Sequence, residues 1–232
     1  MSTWKQSFNN FLNLFLQSHC LLCQRATSTE FCPYCIRQLQ NCQHQNPAGL
    51  WKPPIPVFGW GTYGGIVKRA IAVMKYENQP QIGRPLGQWL GEAWLLSNVS
   101  QCQPTLPVVV PIPLHPRKQK KRGYNQAALI AESFCQTTGL KLQLHGLTRV
   151  QETEAQFGLS ASERETNLAE AFAVGQKLRR RRVNVPVLLV DDIYTTGATA
   201  RSAVKTLNQA GIAVLGLVAV TTAVKDKYTK SI

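Results

Sequence analysis

The sequence predicts an α/β protein with a doubly wound parallel sheet, preceded by a small cysteine-rich module. Three observations lead to this prediction. Apolar, strand-like runs alternate with amphipathic helical stretches beyond residue 56. The run Val187–Val190 leads into two acids and a loop of hydroxyls and glycine, and two CxxC pairs lie near the start. A hydrophobic fraction of 44% excludes a largely disordered chain, which would lack the apolar surface that offsets ordering entropy.

Residues 4–16 form an amphipathic segment. Its large apolar side chains recur at helical spacing, so they either pack on their own domain or contact a partner or membrane surface. No apolar run reaches the roughly 18 to 20 residues of a membrane span, and no signal-peptide pattern is present. We therefore expect a cytoplasmic protein, with a peripheral membrane contact left open. The stripe consists of Phe8, Phe11, Leu12, Phe15 and Leu16.

Two CxxC pairs follow, Cys20–Cys23 and Cys32–Cys35, with eight residues between them. Each tight turn aims two thiolates at one tetrahedral ion, which predicts a structural zinc site. Two disulfides or an iron–sulfur cluster are the alternatives, and a reducing compartment disfavours the disulfides.

Four other residues bear on this prediction. Cys42 and His44 are spare candidate ligands for the same ion. Cys102 and Cys135 have no partner at metal-binding spacing, so we expect both to be buried as small apolar residues.

A proline-rich stretch at residues 47–56 cannot continue a helix or a central strand. We place a boundary there, so that residues 1–55 form the N-terminal helix and metal-binding module and residues 56–232 form the α/β domain. In such a domain, ligands bind at the carboxyl ends of the strands. The predicted strands are 57–63, 107–112, 171–174, 185–190 and 213–221, and the predicted helices are 66–76, 84–96, 125–137 and 198–210.

The net charge is +14, and two basic clusters contribute to it, at residues 117–122 and 177–182. Such clusters attract nucleic acid, phosphorylated metabolites or an acidic membrane surface. The arginine run of the second cluster is equally consistent with a solvated loop. Charge alone does not select one of these partners.

The run Val187–Thr199, VLLVDDIYTTGAT, contains the parts of a phosphate and ribose site. Its threonines offer hydroxyls and Gly197 allows a tight turn, so backbone N–H groups can point at a phosphate at a helix start. Asp191 and Asp192 are placed to accept hydrogen bonds from the vicinal hydroxyls of a sugar. The run lacks the lysine of a P-loop and the spacing of a dinucleotide fingerprint, which excludes those two kinds of site.

This run resembles the signature of type I phosphoribosyltransferases that binds 5-phosphoribosyl pyrophosphate (PRPP). The resemblance implies that Asp191 and Asp192 hold the ribose hydroxyls and take part in catalysis, that the loop holds the 5-phosphate, and that Mg²⁺ accompanies PRPP. The implied PRPP-binding residues are Asp191, Asp192, Tyr194, Thr195, Thr196, Gly197, Ala198 and Thr199.

Further segments are similar to the ComF family of competence-associated and GntX-like proteins. The resemblance implies a zinc-ribbon-like module joined to a type I phosphoribosyltransferase-like domain, a link to natural DNA uptake, and an acceptor that is not identified. The segments are the CxxC pairs, VMKY at 73–76, VPIPLHPR at 110–117, RGYNQ at 122–126, and 153–172 with Gln156, Leu159, Arg164 and Asn167.

Phosphoribosyl transfer needs cations that balance the departing diphosphate. The loop after the predicted strand 107–112 supplies them and is expected to fold over the diphosphate as a lid. Lys75 and His115 are further candidates, each with an ordinary structural role as the alternative, and no base pocket is recognisable. The lid candidates are Pro113, Leu114, Arg117, Lys118, Lys120, Lys121 and Arg122, and the catalytic candidates beside the two aspartates are Lys121, Arg122 and Arg164.

Three functions stay open at this point. The first is an Mg²⁺-dependent phosphoribosyltransferase that acts on an unidentified base or amine. The second is a non-catalytic, PRPP-responsive adaptor of the DNA uptake machinery. The third is single-stranded DNA binding by the basic loops, which ranks last because Tyr124 is the one aromatic residue beside the first basic cluster. Association as a homodimer is left open.

Overall fold

The computed structural model describes residues 18–150, 171–179 and 185–223. The amphipathic N-terminal stripe, Arg164 and most of the second basic cluster lie outside these residues. The described strands are β1 (Val57–Thr62), β2 (Val108–Pro111), β3 (Lys141–Leu142), β4 (Leu147–Arg149), β5 (Phe172–Val174), β6 (Val187–Tyr194) and β7 (Val214–Thr222). The described helices are α1 (Pro33–Gln40), α2 (Gly65–Tyr76), α3 (Gly83–Leu95), α4 (Asn98–Gln101), α5 (Pro116–Arg122), α6 (Gln126–Thr138), α7 (Gln176–Arg179) and α8 (Ala198–Gln209), with a 3₁₀ turn at Pro80–Ile82.

Five strands form one sheet in the order β1-β7-β6-β2-β3, and every neighbouring pair is parallel. Its strands are continuous apolar runs because both faces are covered. Leu188 and Val190 pack with α3 and α6 on one face, whereas Val187 and Leu189 pack with α8 on the other. The predicted doubly wound α/β fold is therefore confirmed. Strands β4 and β5 pair separately and antiparallel to each other.

Helices α3 and α6 pack very closely because glycines recur every four residues along α3. A Cβ atom at Gly87 would lie 2.7 Å from the Cβ of Ser133, and closer still to a carbonyl oxygen of α6. A Cβ at Gly91 would lie 2.8 Å from the Cβ of Thr137. The four-residue spacing of Gly83, Gly87 and Gly91 marks this contact in the sequence.

The cysteine-rich segment packs on the sheet domain through apolar contacts. Leu22, Phe31 and Leu39 are at most 2% exposed and belong to the same hydrophobic cluster as the α3 face of the sheet. Trp89 of α3 stacks on Trp60 of β1, with ring centroids 5.6 Å apart, and on Phe31 at 6.2 Å. The two parts of the chain thus share one apolar core.

Three local expectations are wrong. Residues 116–122 form helix α5 instead of a loop, because Pro116 occupies the first turn and the ring Nδ1 of His115 accepts a hydrogen bond from the Arg117 N–H at 3.3 Å. Strand β6 continues through both aspartates to Tyr194, because β7 continues beside it to Thr222.

The third wrong expectation concerns one of the two unpaired thiols. Cys102 is exposed, because it lies just beyond the short surface helix α4, whereas Cys135 is buried as predicted.

Within the part of the chain that the structure describes, no helix has the length and apolar character needed to cross a bilayer.

Candidate functional site

The candidate site lies at the carboxyl edge of the sheet, between β2 and β6. From β2 the chain passes through α6 to β3 at one side, and from β6 it passes through α8 to β7 on the other side. The two adjacent strands therefore lead away in opposite directions, which opens a crevice beyond their carboxyl ends. The aspartate pair and the α5 segment both emerge into this crevice.

The last turn of helix α2 lies at this edge of the sheet. The helix begins directly after β1 at the far side of the sheet, yet its last turn reaches β6 and the segment that follows β2. The Lys75 ammonium contacts the Asp192 carboxylate, and the Tyr124 hydroxyl donates a hydrogen bond to the Met74 carbonyl. The last turn of helix α2 therefore lies beside Asp192.

Asp192 is held by side chains from two helices. It is 3% exposed, and its Oδ2 forms an ion pair with Lys75, whose side chain is 17% exposed. Its Oδ1 accepts a hydrogen bond from the Gln126 Nε2 at 3.2 Å. Its backbone carbonyl accepts one from the Thr221 hydroxyl at 3.3 Å. These contacts fix the position of the Asp192 side chain, because a buried carboxyl group is held in place by the groups that satisfy its oxygens.

Asp191 has a different environment. Its Oδ1 accepts a hydrogen bond from the Asp192 N–H at 2.8 Å, and the residue is less buried than Asp192. Burial and the adjacent Asp192 carboxylate raise the pKa of Asp191 well above its usual range. Burial lowers the pKa of Arg149, while the negative charge of Asp191 acts in the opposite direction. Arg149 ends β4 and lies over the Phe172 ring of β5, so the small sheet brings a cation toward Asp191.

The loop after β6 turns tightly into the start of a helix. Gly197 has φ +76°, a backbone conformation that favours glycine, and a Cβ there would lie 2.5 Å from the Tyr194 hydroxyl oxygen. Thr195 and Thr196 are exposed, and the Thr196 hydroxyl accepts a hydrogen bond from the Ala198 N–H at 3.4 Å. Helix α8 begins at Ala198, so the loop sits at the positive end of a 12-residue helix. Ala198 and Thr199, both half-buried, form its first turn.

The predicted lid residues lie in two places, the connection that follows β2 and helix α5. Pro113 and Leu114 are half-buried in the connection from β2, whereas Arg117, Lys118, Lys120 and Lys121 are exposed on the helix. Arg122 points inward, and its Nη1 donates a hydrogen bond to the Gln126 Oε1. A chain of contacts therefore runs from Arg122 through Gln126 to Asp192. Arg164 lies outside the described residues.

Gln126 and Arg149 are site residues that the sequence analysis does not identify. Gln126 belongs to the segment RGYNQ, which carries the family resemblance, so a signal for it is present. It begins α6 after the Asn125 N-cap, whose side chain also donates to the Ile112 carbonyl at 3.0 Å. Nothing in the sequence marks Arg149, because it approaches Asp191 only through the tertiary fold.

The four predicted cysteine ligands converge. Their sulfur atoms all lie within 4.8 Å of one another, and those of Cys23 and Cys32 are 3.5 Å apart. Tetrahedral zinc with Zn–S bonds of about 2.3 Å needs sulfurs roughly 3.8 Å apart, so the set fits zinc. The alternative ligands are engaged elsewhere: the Cys42 thiol contacts the Gln38 carbonyl and the His44 Nε2 lies 3.0 Å from the Thr222 hydroxyl. The cluster consists of Cys20, Cys23, Cys32 and Cys35.

The four sulfurs share one crowded environment, and the thiol pKa values of Cys20 and Cys35 shift in opposite directions. Burial raises the pKa of the Cys20 thiol, but backbone N–H groups of Cys32, Leu22 and Cys23 outweigh it and lower the pKa to about 6. Burial and the neighbouring sulfurs raise the pKa of Cys35. Four crowded sulfurs in one buried cluster are the donor set of a soft cation.

No protein-family model matches the chain. Competence protein F of Haemophilus influenzae is 30% identical over 204 residues, which cover 83% of this chain and 85% of that protein. The DNA utilization protein YhgH of Escherichia coli is 28% identical, with 84% and 86% covered. The competence protein ComFC of Bacillus subtilis is 26% identical, with 65% and 57% covered. Among solved structures, adenine phosphoribosyltransferase from Leishmania tarentolae matches with a TM-score of 0.38 and 16% identity over 65% of this chain and 62% of that chain.

Proposed function

Because the chain belongs to the competence protein F family, we propose that it binds PRPP with Mg²⁺ at the carboxyl edge of β6 and acts in DNA uptake. The names of its relatives, which refer to competence and DNA utilization, support the biological role. The acceptor of a phosphoribosyl group stays unidentified. We retain type I phosphoribosyl transfer as the reaction class.

One arrangement carries the proposal: an aspartate pair and a glycine-bearing threonine loop follow one another along β6 at the switch point of the sheet. A ribose 5-phosphate needs acceptors for its two ring hydroxyls and N–H donors for its phosphate. We assign the hydroxyls to Asp191, the less buried aspartate, with Asp192 beside it. We assign the 5-phosphate to Thr195–Thr199.

The diphosphate of PRPP requires positive charge nearby. Lys75 and Arg122 flank the aspartate pair, and α5 adds its exposed cations. Mg²⁺ bound with PRPP would neutralise further charge on the departing diphosphate. In the transfer, the acceptor attacks C1 of the ribose, the bond from C1 to the diphosphate oxygen breaks, and pyrophosphate leaves with the electron pair while the acceptor loses a proton.

A calorimetric titration of zinc-loaded protein with Mg²⁺ and PRPP tests the proposal. We expect saturable binding of one PRPP per chain, and a loss of at least roughly tenfold in affinity for Asp191→Asn, because the amide nitrogen that replaces one carboxyl oxygen cannot accept a hydrogen bond. Glu92→Gln, an exposed acid on α3, is the matched control and should bind like the wild type. Absence of binding by the wild-type protein would overturn the proposal.

Transfer itself is tested by pyrophosphate release across a panel of bases and amines. Release that depends on PRPP and disappears in Asp191→Asn would support the enzyme. PRPP binding without release for any acceptor would favour the non-catalytic adaptor instead.

The exposed cations of α5 favour single-stranded DNA binding as a second candidate function. Such binding should weaken steeply as salt rises, because neutralised phosphates release counterions. Replacing Lys118, Lys120 and Lys121 with glutamine should abolish it, and binding that ignores salt or these changes excludes this candidate.

A further inference from the structure

The tip of α2 exposes an aromatic ring immediately beside the aspartate pair. The half-buried Lys75 forms an ion pair with Asp192, yet the next residue, Tyr76, is 79% exposed. Single exposed aromatic residues are common and need no explanation by themselves. Tyr76 differs from such residues because its neighbours connect it to the proposed ribose site.

Arg122 holds a guanidinium group over the Tyr76 ring, 5.8 Å from its centroid. The same guanidinium donates to Gln126, which in turn donates to Asp192 at 3.2 Å. The Tyr124 hydroxyl donates a hydrogen bond to the carbonyl of Met74, two residues before Tyr76 on α2. The ring and the guanidinium are therefore positioned by the network that fixes the proposed ribose site.

Both planar groups can stack on another planar ring, and every nucleobase offers two such faces. A ring attached to C1 of a ribose held at Asp191 projects from the sugar at the end opposite the 5-phosphate. That end lies away from the loop Thr195–Thr199. The last turn of α2 contacts Asp192, the residue next to Asp191. A surface with two planar groups therefore lies next to the aspartate pair that would hold the sugar.

We propose that Tyr76 and Arg122 form a stacking platform for the nucleobase ring of a ribose 5-phosphate ligand. This inference rests on the proposed function and names its substrate class: a planar heteroaromatic base as acceptor or as part of the bound nucleotide. It also explains why no enclosed base pocket is recognisable in the sequence, because an open platform needs no run of apolar residues.

Binding of adenosine 5′-monophosphate and of ribose 5-phosphate, measured by calorimetry with zinc-loaded protein, tests this platform. The two probes share the sugar and phosphate and differ in the base. Wild-type protein should bind the nucleotide more tightly, and Tyr76→Ala should remove roughly 5- to 100-fold of that affinity while leaving ribose 5-phosphate unaffected. Tyr76→Phe should keep the difference, because stacking needs the ring and not the hydroxyl.

Tyr34 provides a matched control. It is 52% exposed and has the Arg25 guanidinium 4.8 Å from its ring centroid, but it lies in the cysteine-rich module. Tyr34→Ala should bind both probes like the wild type. If Tyr76→Ala binds the nucleotide as tightly as the wild type, or if the base adds no affinity, then Tyr76 and Arg122 do not form a stacking platform. The proposed ribose 5-phosphate site is not affected by that result. If the wild type binds neither probe, the proposed function fails and the platform with it.

Discussion

At the scale of single residues, the clearest feature is a buried carboxylate with two dedicated partners. Asp192 meets Lys75 from α2 and Gln126 from α6, so it joins three elements that are far apart in sequence. Removing one partner of a buried pair leaves an uncompensated charge, which is more harmful than removing both.

Lys75→Met should therefore destabilise the protein by about 3–5 kcal/mol in urea unfolding. The double variant Lys75→Met/Asp192→Asn should recover most of this loss, because the charge that lacks a partner is then gone. If the single variant loses less than about 1 kcal/mol, the pair is not the buried contact described above.

Asp191 leads to a prediction about pH. Its folded-state pKa is raised, so the unfolded chain releases this proton first as the pH rises. The group therefore lowers stability progressively from its unfolded pKa up to its folded pKa, and the penalty is constant above that. Asp191→Asn removes the penalty and should increase the free energy of unfolding at neutral pH, but not at pH values where the wild-type carboxyl is protonated in both states. Urea unfolding of the wild type and of Asp191→Asn across this pH range measures whether the free energy of unfolding rises as expected. Glu92→Gln, which removes an exposed acid, is the control.

At the scale of elements, the close contact of α3 and α6 supports the face of the sheet on which Asp192 is held. Gly87→Ala should cost about 2–3 kcal/mol, because the added methyl group meets backbone and Ser133 atoms that have no free direction to move. Gly64→Ala, where a Cβ would meet nothing within 4 Å, is the comparison and should cost about 1 kcal/mol or less. Equal effects in urea unfolding would contradict this account of the helix pair.

The elements were predictable where periodicity and apolar runs alone decide them. The alternating strands and helices of the sheet domain follow from such runs, and the strand that carries the aspartates is one of them. The end of β6 was not predictable, because it depends on how far β7 extends beside it. Helix α5 was mistaken for a loop because its composition is almost entirely cationic, although Pro116 and Gly123 mark its two ends.

The convergence of Lys75, Gln126 and Arg149 on the aspartates could be anticipated only in part. Lys75 and the segment containing Gln126 are visible as motifs, but their meeting depends on α2 crossing the edge of the sheet. Arg149 carries no motif. The loop after β6, by contrast, is a local structure, so its residues follow directly from one stretch of sequence.

At the scale of the whole molecule, the cysteine-rich module and the sheet domain share an apolar core. The division at residue 55 stays a prediction, but Phe31 and Leu22 pack with the tryptophans of the sheet domain. Loss of the ion should therefore affect more than the module.

Chelation of the metal should lower the free energy of unfolding by at least about 3 kcal/mol and change the tryptophan fluorescence, because Trp89 and Trp60 lie next to Phe31. Cys32→Ser should reduce the zinc content below one ion per chain and reproduce the loss. Cys102→Ser, at an exposed thiol outside the cluster, should keep both zinc and stability. A fully stable protein without metal would show that the cluster is not a structural zinc site.

The central claim is that the strand β6 and its loop hold a ribose 5-phosphate. A crystal structure of the zinc-loaded protein with Mg²⁺ and PRPP tests it most directly. The account predicts the 5-phosphate within hydrogen-bond distance of backbone N–H groups in the loop Thr195–Thr199, with the ribose hydroxyls on Asp191. A PRPP molecule bound elsewhere on the protein, or a loop that stays empty at saturating PRPP, would contradict it.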